Sequence, residues 1–481
     1  MARGFSQIHG EDYDQTFAPT VRTDTLRIFL AMVAANDLEC RQYDVKNAFT
    51  ESSLRERIYL SPPKGVHVTP GLQLRVLRSL YGLKQSARDW NLLCKSELKK
   101  LGFKQSLADP CLFTHADKGI TLLVYVDDIA AAAFDKSALS WFYDNFRKRF
   151  NTKDLGEISK ILGMRITRNR RQRELFLDQE QYLEKVLLRL GLPVDSSSSC
   201  KPRPTPVSGR YEKLEPARDD EEKGDVTNYQ RAVGSIMYAM VYSRPDIAFH
   251  IGQLSQQLRN PTVRHKSAVK ELGRYLRSTI RQKIRYGPAN HGKFGPTKEA
   301  CLKIFDPDML SLYSDADWAN MTDRKSISGY VAMLFNGPIA YGSRKQRSVS
   351  TSSCESEYIG MSTCCKQGQW IAQVLRDMGF PEYIGKDPEM VEMRADNQGA
   401  IALAKNPHLH ERSKHIDISY HHIRDLEERK KIKISYVPTT RMVADGFTKP
   451  LERVAFERFK DMLGLVDPAR IHQSSGSRLK T

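Results

Sequence analysis

The stretch TLLVYVDDIAAAAF, residues 121–134, places two aspartates, Asp127 and Asp128, between two apolar runs. Both runs are rich in residues that favour strands, so the stretch predicts a β-hairpin with the aspartate pair at its turn. A tight hairpin turn normally uses Asn-Gly or Asp-Gly, because φ must be positive there. Two carboxylates about 4 Å apart also repel each other by about 4 kcal/mol at an effective dielectric constant of 20. A bound divalent cation removes this repulsion, so the pair is either a set of metal ligands or a solvated acidic turn.

A third carboxylate supports the interpretation as metal ligands. In RQYDVKNAF, residues 41–49, Asp44 ends a strand-like stretch and precedes a run that is compatible with a helix. A carboxylate at a strand end beside a carboxylate hairpin can complete a divalent site. Two magnesium ions on such ligands would clamp the attacking and leaving oxygens of a phosphoryl transfer.

The composition restricts the class of protein. The 481 residues are 40% hydrophobic and carry a net charge of +18, which favours nucleic acid as a partner and allows two to four domains. The eight cysteines form no C-x-x-C pair, which argues against structural zinc and for a reduced, intracellular protein. No apolar run approaches the roughly 20 residues of a membrane span, and the N-terminus lacks the apolar region of a signal peptide.

Composition also divides the chain into segments. Residues 1–193 alternate helical patterns with short strand-like runs, and residues 194–227 are rich in Pro, Ser and charge, which is typical of a linker. Residues 228–285 are helical and basic, and a solvated helix face is the alternative to a nucleic-acid contact there. A second α/β unit is predicted for residues 302–466, and the tail, 467–481, is expected to be disordered.

The second α/β unit places four carboxylates near the ends of predicted elements. A strand runs into the first of them in MLSLYSDADWAN, and a predicted helix whose capping box spans Ser352 and Glu355 carries the second. The other two follow the strands of VEMRADNQGA and KIKISYVPTT. The four are Asp315, Glu357, Asp396 and Asp445. Such an arrangement suggests a metal-dependent nuclease, with Asp317 and Glu355 as near alternatives.

The first segment resembles the reverse transcriptase of copia-type LTR retrotransposons. The motifs that carry the resemblance stand in the family's order across nearly all of residues 2–195. They are ARGFSQIHGEDYDQTFAPTVR, QYDVKNAF, SLYGLKQSARDW, LADPCLF, YVDD and KDLGEISKILGMRI. The resemblance implies that the chain is a fragment of a copia-type Pol polyprotein.

This resemblance assigns roles to the acidic residues of the first segment. Asp44 and Asp127 would bind two metal ions, and Asp128 would complete the acidic cluster. Phe49, five residues after Asp44, stands where reverse transcriptases carry an aromatic ring that blocks the ribose 2′-hydroxyl of an incoming nucleotide. A core aromatic is the alternative for Phe49.

Nucleotide and template contacts are implied for SLYGLKQSARDW. Gly82 and Ser86 resemble the family's contacts with nucleotide and template. Lys84 and Arg88 would meet phosphates or remain solvated surface charges. The basic segment that follows resembles the part joining polymerase to nuclease, and its cations would contact duplex phosphates as a thumb does.

The second α/β unit resembles the RNase H domain that follows the polymerase in this family. The matching motifs are SDADWA, SCESEY, ADNQGAIALAKNP, KHIDISYHHIR and ADGFTKPL. The resemblance implies that Asp315, Glu357, Asp396 and Asp445 hold two metal ions and cut RNA paired to DNA. Glu357 is preferred to Glu355 because the catalytic Glu of the family directly precedes an aromatic residue.

The expected fold is therefore an α+β polymerase palm of the right-hand type with a helical thumb or connection, followed by an α/β RNase H-like domain. The fingers are expected to be truncated, because the family carries further basic residues upstream of ARGF. The implied function is RNA-directed DNA polymerase with RNase H activity, using two Mg²⁺ per active site with Mn²⁺ as the alternative metal. The implied partners are an RNA template, a DNA primer, an RNA–DNA hybrid and deoxynucleoside triphosphates, without a membrane.

Three further expectations remain open at this stage. The alternative to an enzyme is a non-catalytic, truncated retrotransposon relic that folds and binds nucleic acid. Localisation is expected in cytoplasmic particles, in the nucleus or in both, since such elements copy themselves in particles and insert in the nucleus. Five clustered histidines are expected to have structural or RNA-contacting roles rather than to bind zinc. They are His408, His410, His415, His421 and His422.

Overall fold

The structure, a computed structural model, describes residues 2–63, 65–69, 71–194, 201–207, 214–288, 306–405 and 417–468, with the backbone alone for 417–421. The chain forms two compact units. The first comprises Met1–Leu26, Asn36–Ile158 and Arg376–Gly379. The second comprises Arg27–Ala35, Ser159–Leu375 and Phe380–Thr481.

The first unit is built on an antiparallel sheet. Its strands are β1 (Glu39–Val45), β2 (Ser53–Leu60), β3 (Leu74–Arg78), β4 (Lys104–Gln105), β5 (Leu112–His115), β6 (Ile120–Tyr125), β7 (Asp128–Ala133) and β8 (Thr152–Glu157). Six of them form one sheet in the order β4-β5-β6-β7-β1-β8, and β2 pairs with β3. The helices that begin in this unit are α1 (Thr23–Ala35), α2 (Ser86–Lys100) and α3 (Lys136–Phe146).

Apolar residues at helical spacing fasten two of these helices to the sheet. Side chains three or four positions apart lie on one face of a helix, and here they meet the strand side chains in one buried cluster. The helix residues of that cluster include Trp90, Cys94 and Leu98 from α2 and Leu139, Phe142 and Phe146 from α3. The sheet is thereby covered by helices and can hold the β6–β7 hairpin rigidly.

The hairpin predicted for residues 121–134 is present, but its turn begins one residue earlier than expected. Tyr125 pairs with Asp128, so the two turn residues are Val126 and Asp127, and Asp128 opens β7. The positive φ that such a turn requires, 54°, falls on Val126 rather than on either aspartate.

The second unit contains two five-stranded sheets. Its strands are β9 (Lys160–Ile161), β10 (Met164–Asn169), β11 (Glu174–Asp178), β12 (Lys283–Tyr286), β13 (Ser311–Asp317), β14 (Ile327–Leu334), β15 (Gly337–Lys345), β16 (Val391–Ala395), β17 (Ile432–Tyr436) and β18 (Leu465–Val466). Its helices are α4 (Glu180–Arg189), α5 (Val226–Tyr242), α6 (Ala248–Ser255), α7 (Val263–Ser278), α8 (Ser353–Asp377), α9 (Gln398–Lys405), α10 (Asp417–Glu428) and α11 (Arg453–Met462). The sheet orders are β18-β12-β11-β10-β9 and β15-β14-β13-β16-β17.

The second of these sheets places the later carboxylates. Strands β15, β14 and β13 are antiparallel, whereas β13, β16 and β17 are parallel. Because β13 and β16 run in the same direction, their carboxyl ends meet at one edge, where Asp315 and Asp396 lie. The predicted apolar stripe of α8 is confirmed, since each of its side chains is fully buried. They are Tyr358, Met361, Cys365, Ala372 and Leu375.

The compact units divide the chain at Ile158, whereas the sequence placed a boundary at residue 193. The physical reason is the first sheet of the second unit, in which β11 pairs with β12 and β12 pairs with β18. The segment from β9 to α4 therefore packs with later parts of the chain. Helices α5, α6 and α7 occupy most of the segment predicted to be helical, which ends in the strand β12.

Candidate active sites

The first set of carboxylates lies on the neighbouring strands β1 and β7. Asp44 is the direct cross-strand partner of Asp128, and the backbone N–H of Val45 donates to the carbonyl oxygen of Asp127 over 2.9 Å. Directly opposed residues in an antiparallel pair have Cβ atoms about 4.5–5.5 Å apart. The structure therefore brings Asp44, Asp127 and Asp128 together at one sheet end, where all three side chains are half-buried.

Burial and the repulsion between neighbouring charges both raise the pKa of a carboxyl in this group. Burial raises the pKa of Asp128, and the charges of Asp127 and Asp44 raise it further. The amide of Gln42 opposes this effect by donating to Asp128 Oδ1 over 3.1 Å. The pKa of Tyr81 is also raised, by burial and then by Asp127 and Asp44, which places its ring beside the carboxylates. Sequence reasoning missed Gln42 and Tyr81, although both stand inside the quoted motifs.

The turn of the hairpin is strained and clamped. A β-branched residue with positive φ is rare, and such strain costs on the order of 1–3 kcal/mol. The indole N–H of Trp90 donates to the carbonyl oxygen of Val126 over 2.6 Å and holds this turn in place. Strain that the surrounding core enforces in this way fixes the position of Asp127.

Phe49 is half-buried and packs against the core of the first unit. Its ring is tilted by 43° against the ring of Tyr81, with centroids 4.5 Å apart. The core contact that the sequence offered as one interpretation is therefore present, and the role toward the ribose 2′-hydroxyl stays a prediction.

The structure gives Gly82 and Ser86 internal contacts. Gly82 has φ of 101°, and a side chain there would overlap the carbonyl oxygen of Ala2. The hydroxyl of Ser86 is buried and donates to the carbonyl oxygen of Leu80 over 2.7 Å. These contacts alone give both residues a structural role at the start of α2.

The two cations of the same motif point toward the N-terminal segment. Lys84 Nζ donates to the carbonyl oxygen of Gln7 over 3.0 Å and lies 4.8 Å from the ring centroid of Tyr13. Arg88 donates to the side chain of Gln15 over 2.7 Å. Both cations therefore fasten the N-terminal segment to α2 and to the residues just before it.

The second set of carboxylates is more tightly gathered. Asp315 ends the buried part of β13, Glu357 lies in the first turns of α8, and Asp396 directly follows β16. One oxygen from each lies within 4.8 Å of one from each of the others. Asp445, in the 3₁₀ turn Val443–Phe447, adds its charge to those of Asp315 and Asp396.

Polar neighbours orient these carboxylates. The hydroxyl of Thr448 donates to Asp315, and the hydroxyl of Thr439 donates to Asp396 Oδ2 over 2.8 Å. Lys449 Nζ lies 3.0 Å from Asp445 Oδ1 and supplies a positive charge to the group. The sequence showed these residues only as parts of motifs, and nothing in their spacing marked them as partners of the carboxylates.

Burial and mutual repulsion make it costly for these carboxylates to be ionised together. Burial raises the pKa of Glu357 to about 9, with Asp315 as the next cause, and burial together with Asp445 raises the pKa of Asp315 to about 7. Glu357 is only 6% exposed, and its Oε2 has no hydrogen-bond partner among the described residues. A buried carboxylate that carries an unpartnered oxygen and lies within 4.8 Å of two other carboxylates fits a divalent cation, whose preferred ligands are such oxygens.

Glu355 and Asp317, the alternative ligands that the sequence offered, have other hydrogen-bond partners. Glu355 Oε2 accepts from the backbone and hydroxyl of Thr351 over 2.6 and 2.7 Å, and the Glu355 backbone N–H donates to Ser352 Oγ over 3.2 Å. This residue therefore caps α8 much as the predicted capping box does. Asp317 accepts from the side-chain amide of Asn320.

The pKa values of Glu357 and Asp315 predict a pH dependence of stability. Both carboxyls have a folded pKa above the unfolded values of about 4, so the unfolded chain binds fewer protons between these limits. We expect the metal-free protein to lose several kcal/mol of unfolding free energy as pH rises from about 4.5 to 9. Urea titrations at several pH values measure this loss of unfolding free energy.

The matched control for this measurement is the Glu357→Gln protein. Glutamine has nearly the same shape without the titrating charge, so its stability should fall less steeply over the same interval. If the unfolding free energy fell equally steeply with pH in the parent and the variant, the raised pKa of Glu357 would be contradicted.

A basic groove runs between α4, α5 and α7 of the second unit. Its cavity volume is about 570 Å³, and its floor is apolar, including Val186 and Val269. Exposed cations line it alongside a single acidic side chain, that of Asp225. The cations are Arg189, Arg231, Lys266 and Lys270.

The cluster of histidines lies mostly outside the described residues. His408, His410 and His415 fall in the range that the structure does not describe, and the side chain of His421 is also outside it. His422 is half-buried, and burial lowers its pKa.

Comparison with known proteins places residues 1–206 in a family. Residues 1–206 match the family model described as reverse transcriptase (RNA-dependent DNA polymerase). The chain is 36% identical over 478 residues to the Retrovirus-related Pol polyprotein from transposon TNT 1-94 of Nicotiana tabacum, covering 97% of this chain and 34% of that protein. It is 34% identical over 470 residues to the corresponding polyprotein from transposon RE1 of Arabidopsis thaliana, covering 97% of this chain and 30% of that protein.

Among solved structures, a foamy viral protease-reverse transcriptase in complex with RNA/DNA hybrid aligns with a TM-score of 0.41 and 13% identity. That alignment covers 85% of this chain and 45% of the viral one, a likeness too distant to carry an argument.

The antiparallel sheet with its carboxylate hairpin, together with the family match over residues 1–206, defines a reverse transcriptase domain with a polymerase palm-type fold. The similarity to the transposon polyproteins extends over 97% of the chain. The chain belongs to the Pol polyproteins of copia-type retrotransposons and spans about a third of the length of the curated relatives it matches. None of the helices in the described ranges is long and apolar enough to cross a membrane.

Proposed function

We propose that this chain synthesises DNA on an RNA template and also hydrolyses RNA paired to DNA, at two separate sets of carboxylates. Polymerase activity is supported by the family match and by the pairing of Asp44 with Asp128 beside Asp127. Nuclease activity is supported most directly by the buried, unpartnered oxygen of Glu357 within the group of three carboxylates.

At the polymerase site, Asp44 and Asp127 hold the metal ions and Asp128 completes the acidic group. Bound Mg²⁺ or Mn²⁺ supplies charge that stabilises the attacking and leaving oxygens of phosphoryl transfer. The clamped turn at Val126 keeps Asp127 in position, which matters because a misplacement of about 1 Å can cost about a hundredfold in rate. The substrates are a DNA primer on an RNA template and deoxynucleoside triphosphates.

At the nuclease site, Asp315, Glu357, Asp396 and Asp445 are the metal ligands. Thr448 and Thr439 orient two of these carboxylates through their hydroxyls. Lys449 offsets part of the negative charge while the site holds no cation. The substrate is the RNA strand of an RNA–DNA hybrid.

The basic groove of the second unit is proposed to contact the phosphates of the nucleic acid. Its exposed cations meet backbone phosphates without reading sequence. Lys84 and Arg88 are further candidates for phosphate contacts, provided that they leave their partners in the N-terminal segment. Gly82 and Ser86 would then approach nucleotide and template through the backbone around them.

The role proposed for Phe49 predicts a change in sugar selectivity. Replacing Phe49 with valine removes the ring that would meet a ribose 2′-hydroxyl, so ribonucleotide incorporation should rise about tenfold or more relative to deoxynucleotide incorporation. Single-nucleotide extension with matched ribo- and deoxynucleoside triphosphates measures the ratio. Tyr81→Phe, which keeps both rings, should leave it unchanged, and an unchanged ratio in Phe49→Val would leave Phe49 with its core role alone.

The proposed function is tested by two assays on the purified chain. Extension of a DNA primer on an RNA template and release of labelled RNA from a hybrid should both require Mg²⁺ or Mn²⁺. A protein that binds the hybrid but performs neither reaction at any concentration of either metal would be a non-catalytic relic, which contradicts the proposal.

A further inference from the structure

An exposed tryptophan follows the strand that carries Asp315. Trp318 directly follows β13, three residues after Asp315, and 47% of its surface is exposed. Tryptophan is usually well buried, so this exposure leaves a large apolar ring facing solvent. The following residue, Ala319, has φ of 49°, and its backbone N–H donates to Ser326 Oγ over 3.1 Å. The turn behind the ring is therefore fixed.

The ring itself is also held in place. The indole N–H of Trp318 donates to the carbonyl oxygen of Ser350 over 3.1 Å. Ser350 in turn donates through its hydroxyl to Gln346 Oε1 over 2.9 Å. The amide of Gln346 donates to Ser328 Oγ and to the carbonyl oxygen of Ser356, each over 2.8 Å. An exposed aromatic ring with such support loses little conformational entropy when it binds a ligand.

The segment that holds Trp318 also presents a cation. Between the two anchors Gln346 and Ser350, the side chains of Arg347 and Val349 are exposed. Their segment leads into α8, which carries Glu357, whereas Trp318 follows the strand that carries Asp315. The hydrogen bond from Trp318 to Ser350 thus joins the segment that follows β13 to the segment that leads into α8.

We propose that Trp318 and Arg347 form a platform that binds the nucleic-acid strand next to the position of cleavage. The indole packs against a sugar of the strand, and the guanidinium of Arg347 meets a phosphate. The occupant is nucleic acid because an exposed ring and an exposed cation on joined segments can contact the sugar and phosphate groups on the outside of a hybrid duplex. This inference rests on the proposed nuclease function and makes Trp318 a positioning residue for it.

The test follows the fluorescence of Trp318 when hybrid is added. In Glu357→Gln protein, which should not cut, adding hybrid should quench the emission, and the quenching should shrink in the Glu357→Gln, Trp318→Phe protein. Trp141→Phe, a tryptophan substitution in the first unit, is the matched control and should retain the quenching. Quenching that does not depend on Trp318 would overturn the platform.

A second readout is the cleavage of the hybrid. Trp318→Ala should lower kcat/KM about tenfold or more, mainly through KM, and Trp318→Phe should restore most of it because phenylalanine keeps an aromatic ring at this position. Arg347→Ala should weaken binding and reduce its dependence on salt by about one phosphate contact. Cleavage by Trp318→Ala at the parental kcat/KM would refute the inference while leaving the nuclease proposal intact.

The nuclease function and the Trp318 platform can be contradicted independently of each other. A parental protein that does not cleave but whose Trp318 emission is quenched by hybrid would contradict the nuclease function and leave the platform standing.

Discussion

Glu357→Gln protein is expected to lose hydrolysis of RNA in a hybrid by about a thousandfold or more while it retains primer extension. Glutamine keeps the shape of the side chain but removes the negative charge that a metal ion at this position requires. The loss of such a ligand costs several kcal/mol of transition-state stabilisation, and each 1.4 kcal/mol is a factor of about ten in rate. Release of labelled RNA at saturating Mg²⁺ measures the effect.

The matched control is Asp317→Asn, two residues from Asp315 and outside the group of three carboxylates. Its cleavage rate should stay within about threefold of the parent. If Asp317→Asn abolished cleavage while Glu357→Gln did not, the assignment of the ligands would be wrong. Since Glu357 is buried with an unpartnered oxygen, the Glu357→Gln protein should also be more stable than the parent at pH 8 without metal.

The Asp44→Asn substitution is expected to have the reverse effect on the two activities. Asp44 faces Asp128 across two strands and lies beside Asp127, so its charge is part of the polymerase group. Primer extension on an RNA template should fall by about a thousandfold or more, whereas hybrid cleavage should stay near the parental rate. Extension and cleavage are measured on the same preparation.

The control for this substitution is Asp144→Asn, which alters an exposed carboxylate on α3 that pairs with Arg147 at the surface. It should leave both activities unchanged. Loss of cleavage in Asp44→Asn protein would argue against independent sites, and retained extension would remove Asp44 from the catalytic group.

The sequence predicted the strand pairing and the acidic groups better than it predicted the turn. Strand-type residues on both sides of Asp127 indicated the hairpin, and the motif spacing indicated that Asp44 would lie near it. The turn was wrong by one residue because the positive φ falls on Val126, where no turn preference would place it. The bond from Trp90, 36 residues away, enforces this geometry, and local sequence does not reveal it.

The sequence also did not reveal contacts between residues that lie far apart in the chain. Arg244 and Asp246 form an ion pair 2.7 Å apart with both side chains fully buried, although charged residues are rarely buried without a partner. Their pairing depends on Tyr275, whose hydroxyl donates to Asp246 from the neighbouring helix α7. The role of Lys449 beside Asp445 was hidden for the same reason, because only folding brings its charge to Asp315.

The division of the chain shows how sheet pairing can override composition. The Pro- and Ser-rich segment after residue 193 suggested a boundary, yet the segment from β9 to α4 packs with the second unit. The cause is the pairing of β11 with β12, which lie more than a hundred residues apart in sequence. Such long-range pairing is set by the burial of whole sheets and leaves no local signal.

The most direct test of the account is the position of Mn²⁺ in crystals of this protein, read from anomalous scattering. We expect density within about 2–2.5 Å of carboxylate oxygens at two separate places, one at Asp44 and Asp127 and one at Asp315, Glu357 and Asp396. Crystals of Glu357→Gln protein should lose or weaken only the second. Manganese that binds elsewhere, or at neither group at millimolar concentration, would contradict the claim that these carboxylates are gathered to hold metal.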